Sequence, residues 1–290
     1  MPTDTLSLLG AGKAFADLSS WRVIAVTGGD AVKWLNDLVS TEVSDLEPGT
    51  ARQGLLLART GGVRAAFTVA ATADALLLVQ DPSQPSIADL LGLYVLSSDV
   101  ELTDRTEVSS LFSIPGADVA PPVSGATTWS PTCLGVPGID VLVPAADHDD
   151  VARLLAGTLA EAGPDDLEAF RIARGVPRIG VDVAPEDLPQ ESGLDAAVTR
   201  GKGCYVGQEA VAKVDNLGHP RRVLVTFTAD GSVEPGAPVL ADGVEAGTVT
   251  SAVRLEAGTR GLVKIRWRSR DQALATSDGV ALTLTGHPAP

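Results

Sequence analysis

The chain has 290 residues, with 37 Asp and Glu against 22 Lys and Arg, giving a formal net charge of −15 and a sequence pI of about 4.5. That balance excludes the broad basic footprint needed to wrap duplex nucleic acid, and it opposes docking on an anionic membrane. Hydrophobic residues at 44% and a mean hydropathy of +0.18 exclude a disordered chain, and the length suggests two or three compact units.

The N-terminal stretch has no basic region followed by a sustained apolar run, so it does not read as a signal peptide. Residues 30–40 read as a helix: Asp30 stands at a capping position, and Ala31, Trp34, Leu35, Leu38 and Val39 recur at helical spacing. Two apolar runs, 52–58 and 63–70, flank Thr60-Gly61-Gly62 and predict a hairpin. Residues 75–79 continue as strand and 86–93 as a short helix, with strand-like pieces at 94–96 and 109–114. Residues 115–138 are rich in Pro, Gly, Ser and Thr and read as a loop or linker. Then come a strand at 139–143, a helix at 150–162, and a helix at 166–174 stopped by Gly175 and Pro177. From Arg222 short strands dominate (223–227, 238–240, 244–249 and 262–267), with an Asp242-Gly243 hairpin turn. They predict a small β-barrel. The expected organisation is an α+β body in two parts, 1–115 and 139–220, followed by a β module over 222–290. No apolar run approaches the ~18–20 residues that span a bilayer. Cys133 and Cys204 make no disulfide framework, so a cytoplasmic chain with reduced thiols is expected.

The stretch Lys202-Gly203-Cys204-Tyr205-Val206-Gly207-Gln208-Glu209 is the most informative. Gly207 precedes a predicted helix over 208–215, which puts Cys204 on a turn near a helix N-terminus with Lys202 two residues away. Both features favour a thiolate. The alternative is a structural cysteine on a packing turn, since cysteine is among the most buried residue types. Basic residues gather in three segments: Arg171, Arg174 and Arg178; Arg200, Lys202, Lys213, Arg221 and Arg222; and Lys264, Arg266, Arg268 and Arg270. The last four alternate, so on one strand they would share a face. Singly, each fits a solvated surface. Together, if they meet in space, they suit an anionic small molecule, because Arg and Lys pair well with carboxylates.

Residues 202–209 match K-G-C-Y-x-G-Q-E, the signature of the YgfZ family of folate-binding proteins, relatives of the T-protein (aminomethyltransferase) of the glycine cleavage system. Weaker features follow in the family's order: Thr41-Glu42-Val43, Arg171 through Pro177, Leu188-Pro189-Gln190-Glu191, and Gly247-Thr248-Val249-Thr250-Ser251. The resemblance implies an aminomethyltransferase-like folate-binding body of two interleaved α+β subdomains, then a small C-terminal β-barrel. It implies tetrahydrofolate or a derivative as ligand. Glu191 would face the pterin, whose N–H donors suit a carboxylate, and Arg171, Arg174 and Arg222 are candidates for the glutamyl tail. Tyr205 could stack or fill space. Cys204 is the candidate reactive thiol with Lys202 beside it, and Gly203, Gly207, Gln208 and Glu209 complete the motif.

The aminomethyltransferases carry an acidic pair just after the Gly-Gly turn; here the matching residues are Ala65-Ala66, which can neither accept a proton nor stabilise a developing cation. Asp74 and Asp81 lie nearby but not at the matching position. The YgfZ resemblance implies instead a folate-dependent accessory role in iron–sulfur cluster assembly or repair. Partners would be assembly proteins or client enzymes, tRNA-modifying ones among them. Two other readings stay open: a tetrahydrofolate-dependent aminomethyl or one-carbon transferase using a different acid, and a ligand-free interaction scaffold docking through residues 264–270. No permanent metal is expected, because a stable four-iron cluster usually needs four ligands, mostly thiolates. His148, His219 and His287 form no ligand spacing.

Overall fold

The computed structural model describes residues 2–286; His287 lies outside them. Helix α1 (Pro2–Gly10) leads into β1 (Ala14–Asp17) and β2 (Arg22–Thr27). After α2 (Ala31–Asn36) come the hairpin of β3 (Ala51–Leu57) and β4 (Val63–Ala71), then β5 (Leu76–Gln80), α3 (Ile87–Gly92) and β6 (Glu101–Asp104). Five of these strands form an antiparallel sheet in the order β3-β4-β5-β2-β6. The chain continues through β7 (Ser109–Pro115), β8 (Thr127–Trp129), β9 (Gly138–Pro144), α4 (His148–Ala156) and β10 (Ala160–Ala162). The second sheet runs β10-β1-β7-β9-β8, with β10 parallel to β1.

Side-chain alternation stacks the sheets. In β2, Ile24 and Val26 face Trp34 and Leu35 of α2 and Leu91 of α3, whereas Val23 and Ala25 face Leu111, Trp129 and Leu142 of the second sheet. In β5, Leu76 and Leu78 separate from Leu77 and Val79 in the same way. Beyond the second sheet, Phe112, Ile114 and Val141 pack under Val151 and Leu155 of α4. The body is therefore layered helix, sheet, sheet, helix. Each fully buried Val, Leu or Ile in these strands contributes about 1.5–3 kcal/mol. A charge at Ile24 or Leu78 would break the stack.

Helix α5 (Pro164–Arg174) ends at Gly175, whose φ of 72° supplies the left-handed stop that the sequence predicts. Helix α6 (Gln208–Leu217) follows the KGCYVGQE loop. Then β11 (Arg222–Ala229), β12 (Pro238–Ala241), β13 (Val244–Leu255), β14 (Gly258–Arg266), β15 (Leu274–Thr276) and β16 (Ala281–Gly286) close into a six-stranded barrel, in the order β11-β14-β13-β12-β15-β16. Asp242 and Gly243 both have positive φ, as an Asp-Gly hairpin turn requires.

Several local expectations are corrected. The helix expected over 30–40 stops at Asn36, because residues 37–41 turn to carry Ser40 and Thr41 inward, and Ser40 Oγ donates to Ala197 O at 2.6 Å. Asp30 precedes it without a side-chain cap and accepts instead from Asp99 N. Residues 94–96 are turn rather than strand; the edge strand is β6, further on. The helix expected over 150–162 ends at Ala156, and Ala160–Ala162 pairs with β1. Nor is 115–138 a slack linker: it contains β8 and buries Trp129 and Cys133 between the sheets.

Candidate functional site

The KGCYVGQE loop is held at both ends. The Lys202 ammonium donates to the main-chain carbonyls of Asn36 (2.7 Å), Val39 (2.8 Å) and Thr41 (2.7 Å), at the end of α2 and just beyond it. Three acceptors match its three N–H donors. Burial pushes its pKa down to about 8, and the nearby Glu42 and Asp37 oppose that shift, so the amine stays charged at neutral pH. Tyr205 is half-buried beside Val211 and Leu57, with the ammonium 5.6 Å from its ring, so it fills space in the loop's own small core. At the other end Gly207 has φ 83°, and a Cβ there would sit 2.5 Å from Ala58 O and 2.9 Å from Leu57 Cβ. Gly61, in the β3–β4 turn, is pressed from its side by Ala210 and Leu188. The two glycines let the motif rest against the hairpin, and between these anchors Cys204 is exposed. The buried alternative for this cysteine is thereby corrected. Lys202, expected to act on Cys204, spends its donors on the α2 end.

The same hairpin walls a cavity of about 500 Å³ between the sheets. Trp21, Phe67, Leu167 and Phe170 make its apolar lining, and Gln53, Asp81, Gln84 and Arg178 its polar one. The Gln53 side chain makes no hydrogen bond among the described residues. Gln84 Oε1 accepts from Ala66 N at 2.9 Å, and its amide N–H groups have no partner among the described residues. Ala66, where an acid was sought, lines the wall, and so does Asp81, whose carboxylate the sequence had placed off the matching position. An apolar cavity with two open primary amides and a carboxylate can hold a heterocycle that presents donors and acceptors along its edge. Among the described residues no group of three His, Cys, Asp or Glu is arranged to hold a metal.

Of the residues expected to bind folate, only Arg171 lines this cavity, and all five of its N–H donors are used. They go to Glu168 (3.0 and 2.7 Å), Val176 O (2.7 Å), Asp182 (2.8 Å) and Ser251 Oγ (3.0 Å). Asp182, fully buried, also accepts from Ser251 and Thr250 of β13. Arg171 therefore staples α5 to the barrel, and Lys264, paired with Asp187, makes a second staple. Arg174 is exposed and lies 5.2 Å over the Phe170 ring, away from the cavity. Glu191 is half-buried and outside the cavity lining, its carboxylate accepting from Leu188 N at 3.3 Å. Arg222 is on the outside of the barrel. The three basic segments thus do not converge on one pocket. The cation with capacity left at the cavity is Arg178: Nη2 pairs with Glu168 at 2.5 Å, while its buried Nε has no hydrogen-bond partner among the described residues and stands 3.8 Å from Asp81. Its place in the 171–178 segment was legible in the sequence, but nothing there singled it out from its neighbours.

Cys133 also reaches the cavity wall. Burial pushes its thiol well up, and the neighbouring Asp140 adds to this. Asp140 is itself fully buried; its Oδ2 accepts from Trp129 Nε1 (2.9 Å) and Cys133 N (2.7 Å), and burial lifts its carboxyl to about 6. The Pro- and Ser-rich flanks of Cys133 gave no hint of this.

The comparisons with known proteins agree with this architecture. The GCVT N-terminal domain matches residues 11–128. The chain resembles the YgfZ-type proteins, kin of the aminomethyltransferases. It is 26% identical over 250 residues to the tRNA-modifying protein YgfZ of Vibrio vulnificus, covering 79% of this chain and 75% of that one. It is 29% identical over 249 residues to the iron–sulfur cluster assembly factor IBA57 homolog of Mycosarcoma maydis, covering 75% of this chain and 60% of that one. A chloroplastic relative in Arabidopsis thaliana is 25% identical over 277 residues, and the chain spans 63% of its length. The glycine cleavage system aminomethyltransferase T of Bartonella henselae superposes with a TM-score of 0.84 at 19% identity, over 99% of this chain and 89% of that one; it establishes the fold. No described helix is long and apolar enough to cross a membrane.

Proposed function

We propose that this protein binds a reduced folate between its two sheets and supports iron–sulfur cluster assembly or repair through the exposed thiol of Cys204. The observation that carries the folate half is the cavity of about 500 Å³ with the open amides of Gln53 and Gln84 on its wall. Arg178 at the same wall is the candidate for a ligand carboxylate, and Glu191, outside the cavity lining, for the pterin edge after a side-chain turn. The thiol half is supported by the relatives named above and by the way Gly207 seats the Cys204 loop on the hairpin that carries Gln53 and Ala66. A cluster would be cargo here, held with ligands from a partner, since one cysteine cannot hold it alone.

The experiment is a calorimetric titration with tetrahydrofolate on the wild type and on Gln53→Leu. Saturable heat that weakens at least about tenfold in the variant supports the reading; no heat at millimolar ligand sinks it. For the second half, Cys204→Ala should keep folate affinity within about twofold and yet fail to restore iron–sulfur enzyme activity in cells lacking the protein. Full restoration would refute the role of the thiol.

A specific observation favours a second reading. Asp81 on the cavity wall is an acid a transferase could use in place of the pair lost at Ala65-Ala66. Formation of methylenetetrahydrofolate from an aminomethylated carrier, abolished by Asp81→Asn, would make the protein a one-carbon transferase.

A further inference from the structure

At one end of the barrel Arg221, Arg222, Arg266, Arg268 and Arg270 line an open groove of about 540 Å³, with no carboxylate on its walls. Arg222 and Arg266 are direct cross-strand partners on β11 and β14. Like charges at such positions destabilise a sheet. Arg221, Arg222, Arg266 and Arg268 have no side-chain hydrogen bond or ion pair among the described residues, and all four are exposed. The alternation expected over 264–270 fails here: Lys264 turns to Asp187, and Trp267–Ser269 is a 3-10 turn that fans the arginines round the barrel end. The floor is stiff, because His219 stacks on Trp267 at 5.7 Å and 7°, and Arg270 lies 4.1 Å from the Trp267 ring.

We propose that this arginine face is a docking site for a protein that presents a compact cluster of Asp and Glu. Guanidinium groups pair with carboxylates in bidentate fashion, and Arg and Trp are over-represented among residues that dominate interfaces. Charge bookkeeping selects a compact partner over an extended nucleic acid. Five positive charges in a chain of net −15 leave −20 on the rest of the molecule. A nucleic-acid strand running off the groove meets that negative surface, within a Debye length of about 8 Å at physiological salt. A folded acidic patch meets the arginines, of which Arg270 already pairs with Asp271 at 3.1 Å. The groove shares no lining residue with the inter-sheet cavity, so this site does not depend on folate.

The test is fluorescence anisotropy of the full chain with a labelled ten-residue glutamate-rich peptide, its glutamine counterpart and a ten-nucleotide oligouridylate. The glutamate peptide should bind, and binding should weaken as salt rises. Arg266→Glu/Arg268→Glu should reduce affinity by at least about tenfold. Arg105→Glu/Arg260→Glu, with the same charge change at exposed sites elsewhere, should change it by less than about twofold. Should the first double variant fail to fold, Arg266→Gln/Arg268→Gln takes its place. No binding at low salt, equal binding of the glutamine peptide, equal loss in both double variants, or tighter binding of the oligouridylate would each overturn the proposal.

Discussion

The interior of the body and the end of the barrel use the same residue types in opposite ways. In the body and along the KGCYVGQE loop, Arg171 and Lys202 are spoken for. Arg171 uses five donors on five acceptors, and Lys202 places its three on three carbonyls. At the barrel end arginines sit side by side, and among the described residues Arg221, Arg222, Arg266 and Arg268 have no acid paired with them, whereas Arg270 pairs with Asp271. The difference separates architecture from availability. A saturated cation joins parts of one chain, and its loss strands the groups it served. An unpaired exposed cation contributes little to the fold and is free for something outside it.

Arg171→Met gives the largest expected effect. It leaves the buried Asp182 without its guanidinium, while Glu168 keeps Arg178, a loss of about 3–5 kcal/mol in denaturant unfolding. Arg268→Met should stay within about 0.5 kcal/mol of the wild type. Equal losses for the two would erase the contrast.

Asp140 sharpens it with the sign reversed, as a buried acid that no cation among the described residues serves. Its folded pKa of about 6 lies above the ordinary value of 3.8, so the folded state binds the proton more tightly than the unfolded one. The contribution of Asp140 to stability should therefore fall as pH rises from about 4 to about 6, by on the order of 2–3 kcal/mol. Asp140→Asn, which still accepts from Trp129, should flatten that slope in unfolding curves taken at pH 4, 5, 6 and 7. A slope unchanged in the variant would remove Asp140 as its source.

The smallest contrast lies within a single motif. Lys202→Met strands three carbonyls and should cost about 1–3 kcal/mol, whereas Cys204→Ala, at an exposed position, should cost no more than about 0.5 kcal/mol. Thermal unfolding of the pair measures both. A Cys204→Ala loss as large as that of Lys202→Met would mean that the cysteine is structural.

Much of the fold was legible because local chemistry and tertiary outcome coincide. The Gly61-Gly62 turn flanked by apolar runs is a hairpin, Gly175 stops α5, and Asp242-Gly243 turns a barrel strand. Where they conflict, the sequence misleads. Ala160–Ala162 continues the apolar spacing of a helix, yet becomes a strand because β1, nearly 150 residues earlier, offers it an edge. Residues 115–138 look like a linker, yet Trp129 and Asp140 bond across the sheet and bury Cys133. In the site, the motif was legible, and so was the absence of an acid at Ala65-Ala66. The cavity wall was not, because Gln53, Asp81, Gln84 and Arg178 come from elements spread over 126 positions and are unremarkable one by one.

By itself the sequence determined which groups the molecule owns: an acidic chain with its basic residues in three segments, a thiol in a glycine-rich loop, and no carboxylate after the Gly-Gly turn. Only the tertiary structure decided which of those groups are free. Saturation depends on acceptors brought from afar, such as the carbonyls of Asn36, Val39 and Thr41, which meet Lys202 across more than 160 residues of chain. A donor has a fixed number of hydrogens, and once the fold has filled them the residue's charge no longer predicts a ligand.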